Sequence, residues 1–143
     1  MVDDLFSVRG QIVLVSGASR GIGRAIALAL AEAGCEVAVN YLTSREDAQA
    51  VVRQIQTLGR QALAVPADVG QAAEVSRLVA GVEADLGPVD ILVNNAGINP
   101  GPALESISPE DWHKVLQTNL TSAFLVSQAV LPGMQARRWG RLI

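Results

Sequence analysis

Short apolar runs alternate with segments of helical period along most of this chain, and that alternation dictates a parallel sheet covered by helices. The runs fall at residues 11–16, 36–41, 61–66 and 89–94 and are rich in Val, Ile, Leu and Ala. Uninterrupted runs of this kind suit strands buried on both faces, rather than strands with one wet side. Between them, residues 21–33, 45–58 and 71–86 repeat their apolar positions with helical spacing. In the second of these helices Ala48, Val51, Val52, Ile55 and Leu58 share one face; in the third Val75, Leu78, Val79, Val82 and Leu86 do. Gly34, Gly59 and Gly87 close the three helices, where a glycine can turn left-handed. Ser44-Arg45-Glu46-Asp47 opens the second helix as a capping box. The order β-α-β-α-β-α-β with right-handed crossovers gives a doubly wound α/β fold.

The junction between the first strand and the first helix carries the sharpest chemical signal. Ser16-Gly17-Ala18-Ser19-Arg20-Gly21-Ile22-Gly23 places three glycines where a strand becomes a helix. Gly17 permits a tight exit from the strand. Gly21 and Gly23 remove side chains that would hold phosphates off the backbone and the helix off the sheet. Free N–H groups and the positive dipole end of the helix then face an anion. The spacing is Gly-x-x-x-Gly-x-Gly, unlike the commoner Gly-x-Gly-x-x-Gly dinucleotide fingerprint, and no Gly-Lys-Ser/Thr follows to make a P-loop.

Composition removes several alternatives. The 143 residues suffice for one domain with a real core. With two Trp, one Tyr and two Phe against 50% hydrophobic residues, aliphatic side chains do the packing. Net charge is −3 and the cations are scattered, so no basic stripe points to nucleic acid. The longest apolar stretch, residues 25–31, is far too short to span a bilayer. The acidic Met1-Val2-Asp3-Asp4 start lacks a signal peptide's order, which makes the cytoplasm the expected compartment. Cys35, the single cysteine, excludes an intrachain disulfide and is expected to pack at the start of a strand. His113 is the single histidine, so neither a metal cluster nor a histidine triad is expected.

A fourth, longer helix follows the loop at residues 95–107, in which Ile98-Asn99-Pro100-Gly101-Pro102 is expected to form part of a pocket rim. Ser108 caps it and Pro109 takes its first position. Trp112, Val115, Leu116 and Leu120 are expected on its inner face, and the pattern runs toward Ala136. Arg141-Leu142-Ile143 then opens another buried strand, so the expected fold is one domain over residues 1–143, truncated at its fifth strand.

Four further motifs join the glycine loop. Asp68-Val69 follows the third strand, and Asn94-Asn95-Ala96-Gly97 ends the fourth. Asn119 lies within Asp111-Trp112-x-x-Val115-x-x-x-Asn119-Leu120, and Gly140-Arg141-Leu142-Ile143 closes the chain. In order and spacing the whole chain resembles the short-chain dehydrogenase/reductases, with their Rossmann fold, and most of all their 3-oxoacyl-(acyl-carrier-protein) reductase group. The resemblance implies that backbone groups of Gly17, Ser19, Arg20 and Ile22 meet the phosphates and ribose of a dinucleotide. It implies that Asp68 bonds the adenine amino group, that Val69 lines the ring, and that Asn94, Asn95, Ala96 and Gly97 stand beside the adenosine ribose. Asn119 would kink its helix and hold a water in a proton relay. Ser16 replaces the usual threonine and keeps a hydroxyl. A tetramer built partly on the fourth helix is also implied, with Phe124 and Val130 as outer apolar residues. Each residue has a local reading too: Asp68 as a cap of the third helix, Asn94 and Asn95 as turn formers, Asn119 as a packing residue, Arg20 as a solvated loop cation.

The second strand ends in Asn40-Tyr41, where a carboxylate would bond the 2′-hydroxyl of NAD. With no acid there, and with Arg20 able to pair with a phosphate, the expected cofactor is NADP(H). Thr43, Ser44 and Arg45 add hydroxyls and a second cation nearby. The family reduces carbonyls with a Ser, a Tyr-x-x-x-Lys pair and the helix asparagine, the tyrosine giving its proton to the developing alkoxide. Here Tyr41 and Lys114 are the single tyrosine and lysine and stand far apart in sequence, so of that set Asn119 alone is present. The expectation is the cofactor-binding part of an NADPH-dependent reductase of a small carbonyl, inactive by itself. A sugar, polyol or steroid alcohol dehydrogenase fragment, or a non-catalytic nucleotide-binding or assembly module, remains open at this point.

Overall fold

The computed structural model of the chain describes residues 6–99, 101 and 103–143. Pro100 and Pro102 of the loop expected at the pocket rim lie outside these. Five parallel strands form one sheet: β1 (Ile12–Val15), β2 (Glu36–Tyr41), β3 (Ala62–Pro66), β4 (Ile91–Val93) and β5 (Arg141–Leu142). Their order is β3-β2-β1-β4-β5. The chain winds outward from β1 in one direction and then returns past it to β4, so β1 and β4 flank the point where the winding reverses. Open α/β sheets bind ligands at the carboxyl ends of strands flanking such a point.

The helices are α1 (Gly21–Glu32), α2 (Arg45–Thr57), α3 (Ala72–Asp85), α4 (Pro109–Leu116) and α5 (Ser122–Arg137). Strand residues alternate between the two sheet faces, and the core divides accordingly. Val13, Val15, Val37 and Val39 pack with Ala27 and Ala31 of α1 and Ala48, Val51 and Ile55 of α2. Leu14, Ala38 and Leu92 pack with Val75, Leu78 and Val82 of α3 and Val126, Val130 and Met134 of α5. Gly34, Gly59 and Gly87 all take positive φ where the first three helices end.

The long fourth helix departs from expectation. A five-residue π turn, Gln117–Thr121, joins α4 to α5, with Asn119 at its centre. Trp112 and Leu120, expected inside, are exposed, and Val130, expected outside, is buried; Phe124 is exposed as expected. The physical reason is that α4 projects beyond the sheet and buries none of its residues, while the core face of the helix begins in α5 at Ser122 and Val126. Ser108 does cap α4, its Oγ accepting from the Asp111 amide at 3.0 Å. Ser44 makes no side-chain cap to α2, contrary to the capping-box expectation; its backbone, at φ −84° and ψ 67°, lacks the extended conformation of a capping residue, and Ser44 lines the cavity described next.

Candidate functional site

A cavity of about 430 Å³ lies across the carboxyl ends of β1, β2 and β4. Gly17, Ser19, Arg20 and Ile22 line it from the glycine loop, and Asn40 from β2. Asp68 and Val69 enter after β3, and Asn95, Ala96 and Gly97 after β4. Four parts of the chain, far apart in sequence, thus meet in one place.

The loop is shaped by close approach. Gly17 has φ +63°, and a Cβ on it would stand 3.0 Å from the Cα of Ala96. Gly21 has φ +57° with open space around it. Gly23 sits in the first turn of α1, where a Cβ would fall 2.5 Å from the Gly17 carbonyl oxygen and against Asn95 Nδ2. Gly21 and Gly23 therefore shape the loop from behind and do not line the cavity. Arg20 is the N-cap residue of α1 in extended conformation, and no side chain caps the helix. Its first-turn amides and positive end consequently face the cavity without a protein anion.

Side-chain hydrogen bonds hold this loop to its neighbours. Ser16 is buried; its Oγ accepts from the amides of Asn95 and Ala96, each at 3.0 Å. Asn95 Nδ2 in turn donates to the carbonyls of Ser16 and Gly17, both at 3.0 Å. The end of β4 is thereby clamped beneath the glycine loop. Asn40 Oδ1 accepts from the Gly17 amide at 3.2 Å, while its Nδ2 donates to the Val65 and Ala67 carbonyls at 3.3 and 3.1 Å. That carboxamide is spent on joining three strand ends, so Asn40 serves the cavity by shape rather than as a free ligand group.

Asp68 does not cap α3, whose N-cap is Gln71. Its Oδ1 accepts from the Gly70 amide at 2.9 Å, and its own amide donates to Glu74 Oε2 at 2.7 Å. Among the described hydrogen bonds its second oxygen has no partner, and it is the one carboxylate on the cavity wall. Arg20 is the one cation there and makes no ion pair among the described residues. Tyr41, the last residue of β2, and Leu42, Thr43 and Ser44 after it also line the wall.

Two expected residues are placed differently. Asn94 is absent from the cavity wall; its amide donates to the Ile143 carbonyl at 2.8 Å and its Nδ2 to Ser127 Oγ at 3.2 Å. It braces β4 against β5 and α5. The Asn119 carboxamide accepts from the Ile98 amide at 2.7 Å and donates to the Ile98 carbonyl at 2.9 Å. It therefore fixes the loop after β4. Leu42, Ala67 and Thr118 were not singled out from sequence as cavity residues, whereas Ile98, from the loop expected at the pocket rim, does line the wall. Only Thr118 had a sequence cue, its place beside Asn119.

Cys35 is fully buried just before β2, its Sγ donating to the Val8 carbonyl at 3.2 Å. Burial, then the carboxylates of Glu36 and Asp90, push its thiol up to about 11. Among the described residues no helix is long and apolar enough to cross a membrane.

The sequence profile described as short chain dehydrogenase matches residues 11–143. A 3-oxoacyl-(acyl-carrier-protein) reductase FabG of Staphylococcus epidermidis is 45% identical over 130 residues, covering 91% of this chain and 53% of that protein. Nodulation protein G of Azospirillum brasilense is 46% identical over 133 residues, covering 93% of this chain and 54% of its own. Among solved structures, a short chain dehydrogenase of Burkholderia cenocepacia in complex with NADP superimposes with TM-score 0.84 at 42% identity, over 88% of this chain and 51% of the other. The chain thus spans about half the length of the curated relatives it matches.

Proposed function

Since the chain belongs to the short-chain dehydrogenase family, we propose that it binds NADP(H) and forms the cofactor-binding part of an oxidoreductase that reduces a 3-oxoacyl thioester or a similar carbonyl to an alcohol. One observation carries the cofactor reading: the cavity joins an uncapped helix N-terminus, an unpaired Arg20 and the end of β2 with no acid on that strand end. A diphosphate suits the α1 amides, and a further phosphate on the adenosine ribose suits Arg20 with the hydroxyls of Thr43 and Ser44. A carboxylate at Asn40 would repel that extra phosphate. The free oxygen of Asp68 is an acceptor for an exocyclic amine such as adenine's, and Val69 offers the ring an apolar wall.

When bound, the reduced nicotinamide supplies hydride to the carbonyl. Asn119 holds the loop at Ile98, and the π turn around it loosens backbone carbonyls from the α pattern, leaving them to hold a water for proton delivery. Tyr41 ends β2 on the cavity wall and Lys114 lies on α4, so they do not form a proton-donating pair. We therefore assign these residues cofactor binding without turnover. The exposed Trp112, Leu120 and Phe124 support an assembly of like subunits through α4 and α5.

The test is the ratio of NADP⁺ to NAD⁺ affinity for the chain and for Arg20→Ala. Loss of one charge-assisted phosphate contact, about 1.5–3 kcal/mol, lowers the ratio roughly ten- to hundredfold. An unchanged ratio defeats the assignment.

A further inference from the structure

We propose that Gln117 is a positioning residue that ties the adenine-side loop of the cavity to the turn presenting Asn119. The proposal rests on the cofactor reading above and deepens it. Gln117 opens the π turn, and its Nε2 donates to the Gly70 carbonyl in a short hydrogen bond. Gly70 in turn donates its amide to Asp68 Oδ1, and two residues past Gln117 the Asn119 carboxamide grips both backbone groups of Ile98. A continuous series of hydrogen bonds and short backbone links therefore runs from Asp68 through Gly70, Gln117 and Asn119 to Ile98, both of its ends on the cavity wall.

Packing agrees independently. Gly70 is buried, and a Cβ on it would stand 3.1 Å from Asp68 Oδ1 and 3.1 Å from Gln117 Cγ. The two loops approach closely enough that a side chain at position 70 would press on both Asp68 and Gln117. Gln117 itself is exposed and contributes nothing to the core, so its hydrogen bond has no evident purpose in holding the fold. Its geometry instead transmits order: a ligand that fixes Asp68 fixes Gly70, and through Gln117 the turn that orients Ile98.

The test is amide exchange at Ile98 with and without adenosine 2′,5′-bisphosphate, which carries the adenosine end of the cofactor and no nicotinamide. In the unaltered chain, saturation with this nucleotide slows Ile98 exchange. Gln117→Glu, which keeps the shape and loses the donor, and Gln117→Met, which removes it without charge, reduce that response about fivefold, the share of one neutral hydrogen bond. The response at the Gly70 amide persists in both variants. Equal slowing at Ile98 in the unaltered chain and both variants overturns the inference, as does an unaltered chain that binds with no change at Ile98. Failure of the nucleotide to bind the unaltered chain at all instead overturns the cofactor reading.

Discussion

Replacing Gly23 with alanine tests the loop geometry at its tightest point. The added Cβ would land on the hydrogen bond between Asn95 Nδ2 and the Gly17 carbonyl, 2.5 Å from the latter and 3.0 Å from the Cα of Ala18. Two of these neighbours are backbone, so they cannot swing aside as the end of a flexible side chain would. Overpacking of this kind costs about 1–3 kcal/mol. The Asn95 amide loses part of two bonds, at about 1 kcal/mol each. Alanine recovers up to about 1 kcal/mol of helix propensity. The clash wins, with a net loss of about 2–4 kcal/mol. In a domain of this size that lowers the thermal midpoint by about 5–15 °C. Gly21→Ala is the control: no atom lies within 4 Å of its Cβ, and its positive φ costs only about 1–2 kcal/mol. Thermal unfolding followed by circular dichroism, with NADP⁺ titration of each variant, reads both effects. A Gly23→Ala chain as stable as Gly21→Ala, with cofactor affinity intact, would refute the reasoning.

Ser16→Ala removes the acceptor of the partly buried amides of Asn95 and Ala96 and should cost about 1–3 kcal/mol in urea denaturation, whereas Ser16→Thr, which keeps the oxygen, should cost far less. Asp90→Ala removes the acceptor of the Ile12 amide, bonded at 3.0 Å, and one partner of Arg137; a loss of about 1–3 kcal/mol is expected by the same measurement. Cys35 binds its proton more tightly folded than unfolded, so its share of stability is complete below pH 9.0 and declines as pH rises toward about 11. Comparing the chain with Cys35→Ala across that range should show the unaltered chain losing more stability, by up to about 1.4 kcal/mol per pH unit.

Much of this architecture was legible in the sequence because local and long-range demands coincide. Glu36–Tyr41 is recovered end to end as β2, since an apolar run bounded by a glycine turn and a polar loop has no competing structure. The other strands are each shorter than their apolar runs by one or more residues, the ends being spent on turns. The gathering of Gly17, Asp68 and Asn95 around one cavity was implied by the family resemblance that their motifs carry, and not by composition or periodicity. What escaped was decided by partners that periodicity does not reveal. Trp112 and Leu120 show that α4 has an apolar face but not whether its own sheet covers it. Asn40 and Asn94 resemble ligand groups in sequence, yet both carboxamides are taken up by neighbouring protein atoms. Ser44 has a capping residue's chemistry without its geometry, because its backbone is not in the extended conformation that aims a cap at the helix amides.

The whole account stands on the cavity beside Gly17 and Arg20, and calorimetric titration of the 143-residue chain with NADPH addresses it most directly. The account predicts one saturable site per chain, competed by adenosine 2′,5′-bisphosphate and weaker for NADH. Absence of binding by a folded chain, or equal affinity for NADPH and NADH, would contradict it.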